Sequence, residues 1–255
     1  MPKANPTTIR EWMQRLPRRG PVDREAALIA ASRGKRVVHI GFADEPFLAP
    51  KLAQGRWLHA RLADVASSLV GIDLSGEGVR WARAQGYETY VADAQSPAAL
   101  EALGIEPADV VVAGEIIEHL DAPGPFLRAV RTLTGPRGLL VVTTPNAYKH
   151  VNFFVPILGS ELVHPDHTAW HSPSTLRRLL DRNGWTIEDM AYYYTPLRPT
   201  PAGLSPWRRL QTQSANVLRL LVALGSRALP YWSDGIIAWC RPAEEGAQPE
   251  RNASA

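Results

Sequence analysis

The sequence predicts a doubly wound α/β fold, with a mostly parallel sheet, an antiparallel strand at one edge and a helical insertion before the last strand. Three observations predict it. Short runs rich in Val and Ile (Arg36 to Ile40, Leu69 to Asp73, Asp109 to Ala113, Gly138 to Thr144) alternate with stretches of helical spacing, the pattern of strands covered on both faces. Strand and helix alternate five times over, as crossover connections require. Gly41, Asp73 and Asp93 fall at strand ends, after Ile40, at the close of Leu69 to Asp73 and after Glu88 to Ala92, where ligands sit in open sheets.

The elements follow in order. Thr7 to Leu16 carries Ile9, Trp12, Met13 and Leu16 at helical spacing and stops at Pro17. Asp23 to Ser32 is a second helix, closed by Gly34. The strand Arg36 to Ile40 breaks at Gly41, and after Asp44, Glu45 and Pro46 a helix is expected over Phe47 to Ala66, because Pro with neighbouring acids marks a helix start. Next come the strand to Asp73, a helix from Glu77 to Gln85, a strand from Glu88 to Ala92 ending at Asp93, and a short helix from Pro97 to Leu103. The apolar strand Asp109 to Ala113 opens into Gly114-Glu115-Ile116-Ile117-Glu118-His119-Leu120, then a helix to Leu133 and the strand Gly138 to Thr144.

Beyond that strand the pattern changes. Pro145 to His171 lacks periodicity and holds Asn146, His150, His164, Asp166, His167, Trp170 and His171; connections of that length are often functional. Ser172-Pro173 starts a helix that stops at Asn183-Gly184. Trp185 to Tyr194 and Gly235 to Cys240 read as strands that pair at the sheet edge, with an insertion between them.

Composition narrows the function classes. With 255 residues and 45% hydrophobic content the chain fills one large core plus appendages. The formal charge of +3 is too small to imply a nucleic-acid partner. No run of about eighteen apolar residues occurs and the N-terminus lacks a signal-peptide core, so a cytoplasmic location is expected. Cys240 is the single cysteine, which rules out an intramolecular disulfide and a cysteine zinc site.

In this order, Val37-Val38-His39-Ile40-Gly41, Val70-Gly71-Ile72-Asp73-Leu74-Ser75, Ala92-Asp93-Ala94, Asp109 to Leu120 with Glu115-Ile116-Ile117-Glu118-His119, and Gly138 to Asn146 resemble the class I S-adenosylmethionine-dependent methyltransferases, particularly the small-molecule and glycan-modifying ones. The resemblance implies a Rossmann-like fold and S-adenosylmethionine as cofactor. It makes Gly41, Ala43, Asp73, Leu74, Asp93, Ala94 and Glu115 the cofactor-binding set: Asp73 for the ribose hydroxyls, Asp93 with Ala94 for the adenine, Gly41 with Glu115 beside the methionine part. It divides the chain into N-terminal helices capping the site (1–34), a methyltransferase domain (35–241, insertion 195–233) and a flexible tail (242–255). The cofactor loop departs from the family pattern. His39 stands at its acidic position, and Ala43 and Glu45 replace later glycines. The cofactor's ammonium then needs an anion from Asp44, Glu45 or Glu115.

The expected reaction is O-methylation of a sugar or related small molecule, free or carried on a lipid or nucleotide. Methyl transfer from a sulfonium is mostly positioning, but an aliphatic hydroxyl needs a base. His167, His119 and His164 are the candidates, His167 first because Asp166 adjoins it. A metal site is not expected, since Pro165 and Pro173 keep His164, His167 and His171 off one helix. A dinucleotide enzyme is disfavoured by the absence of Gly-x-Gly-x-x-Gly. The altered loop keeps a second class open, a catalytically silent methyltransferase-like binding or scaffold protein. From Met190 to Ser233 the chain has no Asp or Glu, while Arg198, Arg208, Arg209, Arg219 and Arg227 fall inside that stretch. As a helix from Ser205-Pro206 it places Trp207, Leu210, Val217, Leu218, Leu221 and Leu224 on one face and Arg208, Arg209 and Arg219 on the other. Two kinds of use are open for 207–227: packing on the sheet or in a homodimer, and peripheral contact with an anionic partner, either a membrane at its inner face or a glycan carrier.

Overall fold

The computed structural model describes residues 13–195, 205–225 and 229–244. Eight strands form one sheet: β1 (Val22–Asp23), β2 (Arg36–Ile40), β3 (Ser68–Asp73), β4 (Glu88–Val91), β5 (Ala108–Gly114), β6 (Thr134–Pro145), β7 (Trp185–Tyr194) and β8 (Gly235–Pro242), in the order β1-β7-β8-β6-β5-β2-β3-β4. All neighbours are parallel except β8 against β6 and β7. The antiparallel strand is therefore threaded between β6 and β7, and the short β1 takes the outermost place. The chain winds outward through β2, β3 and β4, then returns to β5 on the other side of β2. That reversal opens a crevice at the carboxyl ends of β2 and β5, the usual ligand position in such sheets.

The helices are α1 (Arg24–Ser32), α2 (Leu48–Ala53), α3 (Leu58–Ala63), α4 (Gly76–Ala84), α5 (Pro97–Glu101), α6 (Pro123–Ala129), α7 (Val151–Phe154), α8 (Pro173–Arg182) and α9 (Pro206–Gly225). Their starts follow local chemistry: Asp23, Ser75, Ser96 and Ser172 each accept a backbone N–H from the first turn, and Ser172 closes a capping box with Thr175. The long helix expected over Phe47 to Ala66 is two helices, because the chain turns through a left-handed Gly55 between them. Met13 to Leu16 are not helical, and the rest of the helix expected over Thr7 to Leu16 lies outside the described residues, as does most of the tail. No helix among the described residues is long and apolar enough to cross a membrane.

Apolar residues of alternate register fill both faces of the sheet. Val38, Ile40, Val111, Ala113, Leu140 and Val142 pack on one side with Phe126, Leu127, Leu176 and Trp185. Val37, Val110, Val112 and Val141 pack on the other with Leu28 and Leu62. Trp185 donates its indole N–H to the Leu127 carbonyl (2.8 Å), satisfying the one polar atom of that buried ring.

His39 belongs to a separate aromatic layer under the β2 loop. It is buried, and its Nδ1 lies 3.2 Å from Nδ1 of His59, which packs at a tilt against Phe42 and Trp57. Burial holds both imidazoles neutral; His59 is pushed down to about 3, and His39 falls well below its ordinary value through burial, then His59, then Arg24. One ring donates and the other accepts, which two imidazolium rings cannot do. Each histidine binds a proton more readily in the unfolded chain, so its stabilisation is present above pH ~6.5 and is lost as pH falls toward the folded value. Urea unfolding is expected to show about 2 kcal/mol less stability at pH 5 than at pH 7 on account of His59, with His39 acting in the same direction. A His39→Leu/His59→Phe variant retaining the full pH dependence would assign it to other groups.

Candidate active site

Four adjacent strand ends, in the spatial order β5, β2, β3, β4, bring the predicted cofactor residues together. The registers Ile40↔Ile72, Ile40↔Ala113 and Asp73↔Val91 put Gly41 beside Asp73 and Gly114, and Asp73 beside the start of the Asp93 loop. Gly41 adopts φ +69°, the left-handed region, and a Cβ there would come within 3.1 Å of Ile116. Side chains resist that conformation, so glycine is required for this turn.

Asp73 organises the loop that follows. Its Oδ2 accepts the Ala43 N–H (2.8 Å) and its Oδ1 the Ser75 N–H (2.9 Å). Burial raises its pKa, and these backbone donors only partly offset the rise. An ionised carboxylate has about four lone-pair sites, so the group retains capacity for hydroxyl donors. Ala43, where the family pattern has glycine, fits because its neighbour gives way: a Cβ on Gly78, in the first turn of α4, would lie 2.6 Å from the Ala43 Cβ. Glu45 accepts from Ser75 Oγ (3.0 Å) and Asp44 pairs with Lys51. Both acids thus brace the loop. Leu74 is 72% exposed, and Asp93 caps its own turn by accepting the Gln95 N–H (2.8 Å), with Ala94 buried behind it.

Glu115 sits at φ +55°, unusual for a residue with a side chain. Its N–H is held by the Thr143 carbonyl (2.9 Å), and its carboxylate accepts the Tyr193 hydroxyl. Tyr193 keeps its proton because burial, then the charge of Glu115, raises its pKa. Arg24 completes the network, donating to Thr143 Oγ1 (3.0 Å) and lying over the Tyr193 ring. Sequence reasoning missed Arg24, Thr143 and Tyr193, since their roles depend on β6 and β7 returning beside β5. Glu118 was also missed as a site residue: it is buried, accepts from Thr144 Oγ1 (3.1 Å) and is pushed up to about 8 by burial, then Glu115.

The three candidate histidines converge. His119 ends the turn Ile117–His119 after β5, and its ring centroid lies 4.6 Å from His167 and 5.7 Å from His164. The 145–171 connection is latched there by Thr168, whose N–H (2.8 Å) and hydroxyl (3.1 Å) both donate to the Glu118 carbonyl. His167 is lowered by burial and then by His119 and His164, while Glu115 opposes the shift. Asp166, the expected orienting acid, lies beside His164 instead, 3.7 Å from its Nδ1. His150 and His171 stand apart: both are buried, His171 in the bridge to Asn146. A cleft of about 390 Å³ lined by Arg15, Arg19, Arg177 and Asp189 lies beside β7, away from this array.

A left-handed glycine, a half-buried carboxylate with acceptor capacity to spare, an exposed apolar side chain and an anion in line fit a nucleoside-bearing cofactor with a charged tail. The comparisons agree. A family described as "Methyltransferase domain" matches residues 9–189. A "Ubiquinone biosynthesis O-methyltransferase" from Cupriavidus pinatubonensis is 29% identical over 180 residues, 66% of this chain and 68% of that one. Among solved structures, a SAM-dependent methyltransferase from Archaeoglobus fulgidus is similar at TM-score 0.51 and 16% identity, over 86% of this chain and 91% of that one. The magnesium protoporphyrin IX methyltransferase of Synechocystis, with bound SAH, is similar at TM-score 0.52 and 13% identity, over 86% and 80%. With most of its length matched by that family, the chain belongs to the methyltransferase-domain family and is an S-adenosylmethionine-dependent methyltransferase.

Proposed function

We propose that the enzyme methylates a hydroxyl oxygen of a small, partly apolar acceptor, with Gly41, Ala43, Asp73, Leu74, Asp93, Ala94 and Glu115 around the cofactor and His167 as the base. The observation that carries this reading is the convergence of His119, His164 and His167 at the end of β5, next in line to Glu115. When bound, S-adenosylmethionine supplies a methyl group already activated on a sulfonium. The chain's own contribution is alignment, worth about 7–11 kcal/mol in well-oriented reactions, and removal of the hydroxyl proton. A neutral His167 Nδ1 or Nε2 accepts that proton, and its lowered pKa keeps it neutral at pH 7. Asp73 is placed to accept both ribose hydroxyls, and Glu115 to meet the ammonium.

The acceptor is the finer part of the proposal. A sugar was expected from the sequence; two features favour an apolar compound instead. The relatives carry the name of an O-methyltransferase of ubiquinone biosynthesis. The connection over the site exposes Phe153, Phe154, Ile157, Leu158 and Leu162. Calorimetric titration with S-adenosylmethionine, its demethylated product and NAD tests the cofactor assignment, NAD being expected not to bind. Methyl-transfer assays on hydroxylated rings with and without an apolar tail, set against hexose nucleotides, test the acceptor; turnover confined to the hexoses restores the sugar.

The helix α9 gives such an acceptor a meeting place. Trp207, Leu210 and Val217 are exposed along it, beside Arg208 and Arg209, in a stretch without acids. This supports docking on an anionic lipid surface, apolar side chains inserted and arginines at the headgroups. Parent protein is expected to sediment with anionic vesicles at low salt and less at high salt, whereas Arg208→Glu/Arg209→Glu stays in solution. Sedimentation that is absent, or equal on neutral vesicles, returns the helix to a lid or dimer contact.

A further inference from the structure

We propose that His119, His164 and His167 form a binding site for a divalent transition-metal ion of the zinc class, with a fourth position open toward the acceptor. This rests on the proposed function for the hydroxyl acceptor and the methyl transfer, though not for the binding of the ion, and it puts the ion in the place of His167 as the free base. One ligand nitrogen from each ring lies within 4.8 Å of those of the other two. Four-coordinate zinc with Zn–N bonds of about 2.0–2.1 Å holds its nitrogens about 3.3–3.4 Å apart. Rotation about χ1 and χ2 of rings at the surface covers that difference.

Several further features fit an ion. The three rings meet edge to face or tilted, with centroids 4.6, 5.3 and 5.7 Å apart, so no pair is stacked face to face. Nδ1 of His167 is shielded from solvent and has no hydrogen-bond partner among the described residues. A buried ring nitrogen without a partner is costly, and a ligand bond would remove that cost. Two of the ligands come from the connection and one from the β5 end, and the Thr168 bonds to the Glu118 carbonyl fix the two segments to each other. Near His164, the Asp166 carboxylate is 3.7 Å from Nδ1. The Asp166 backbone N–H donates to that same Nδ1 (3.3 Å), which orients the His164 ring.

The donor set selects the ion. Glu115 is bonded to Tyr193 and Glu118, through one oxygen, to Thr144, and the groups that come together are three imidazoles. Imidazole suits zinc, cobalt and nickel, whereas magnesium demands oxygen ligands. Three histidines with one open position is the arrangement of catalytic rather than structural zinc. An acceptor hydroxyl bound there loses its O–H proton to water while the oxygen keeps the electron pair, and the histidines act as ligands instead of as the free base. The charge of Glu115 favours a cation at this place and that of Lys149 opposes it, both acting on His167.

Metal-free protein titrated with Zn²⁺ by calorimetry, and with Co²⁺ by visible absorption, provides the test, with Mg²⁺ as the contrasting ion. The expected result is one Zn²⁺ per chain, a Co²⁺ spectrum of low coordination number and no Mg²⁺ binding. His164→Ala changes an exposed ring and leaves the fold intact; it and His167→Ala should each lower Zn²⁺ affinity by at least the 10- to 100-fold that outer-shell changes cost. Absence of Zn²⁺ binding by the parent, or affinity unchanged in both histidine variants, overturns the site. Titration with the demethylated cofactor, with and without Zn²⁺, separates the two readings. A parent protein that binds the cofactor but no Zn²⁺ removes only this inference, and one that binds Zn²⁺ but no cofactor removes only the other.

Discussion

Asp73→Ala is expected to weaken S-adenosylmethionine binding by about 100-fold or more while the protein stays folded. A carboxylate accepting both hydroxyls of a ribose makes two charge-assisted bonds, each worth about 1.5–3 kcal/mol, and alanine replaces neither. The substitution also frees the N–H groups of Ala43 and Ser75, which Asp73 now holds at 2.8 and 2.9 Å. Asp73→Asn separates the contributions: its carbonyl oxygen can still accept one loop bond, but its amide donates where an acceptor is needed. Both variants should unfold cooperatively, since Asp73 lies at the sheet's end and outside the apolar core. Calorimetry decides it. Asp73→Ala binding as tightly as the parent would mean that the ribose lies elsewhere on the strand ends.

The fold was legible in the sequence because each buried parallel strand is a run of Val, Ile and Ala bounded by a glycine or an acid. Arg36 to Ile40 and Asp109 to Ala113 are read correctly for that reason, as is the glycine at 41. The split of 47–66 into two helices was not legible, because Gly55 is one residue in an otherwise helical pattern. Nor was the place of the antiparallel strand between β6 and β7, which depends on register and not on composition.

The site divides in the same way. Gly41, Asp73, Asp93 and Glu115 follow strands directly, so their positions come with the strands. The altered cofactor loop raised the prospect of a silent protein when read alone. In three dimensions each departure has a partner: Ala43 is received by Gly78, Glu45 by Ser75, and His39 by His59. None of those partners is adjacent in sequence. The histidine cluster was half legible, its members named but its geometry misjudged. Asp166 was expected beside His167, whereas the turn sets it against His164, and His119 arrives from another element altogether.

His167→Ala is expected to lower turnover by about 10² to 10⁴ on a hydroxyl acceptor, with cofactor affinity nearly unchanged. A positioned base contributes that much when the acceptor does not ionise by itself, and a group acting only in the transition state alters kcat and kcat/KM equally. The pH profile tells this apart from a structural role. Burial, His119 and His164 lower the pKa of His167, so the parent should hold its activity below the ordinary histidine value of ~6.5 and lose it only as the ring protonates. In His167→Ala that acidic limb disappears with the base. The latch formed by Thr168 does not involve the His167 ring, so the connection should remain in place and thermal unfolding should shift little. His119→Ala should cost less if His167 alone takes the proton, because His119 then acts only by keeping its neighbour neutral. An equal loss in both variants, each restored or abolished together with bound Zn²⁺, would instead assign deprotonation to the ion that the three rings hold. Cofactor affinity falling in step with turnover in His167→Ala would end the base assignment, since a group that touches only the acceptor has no reason to change it.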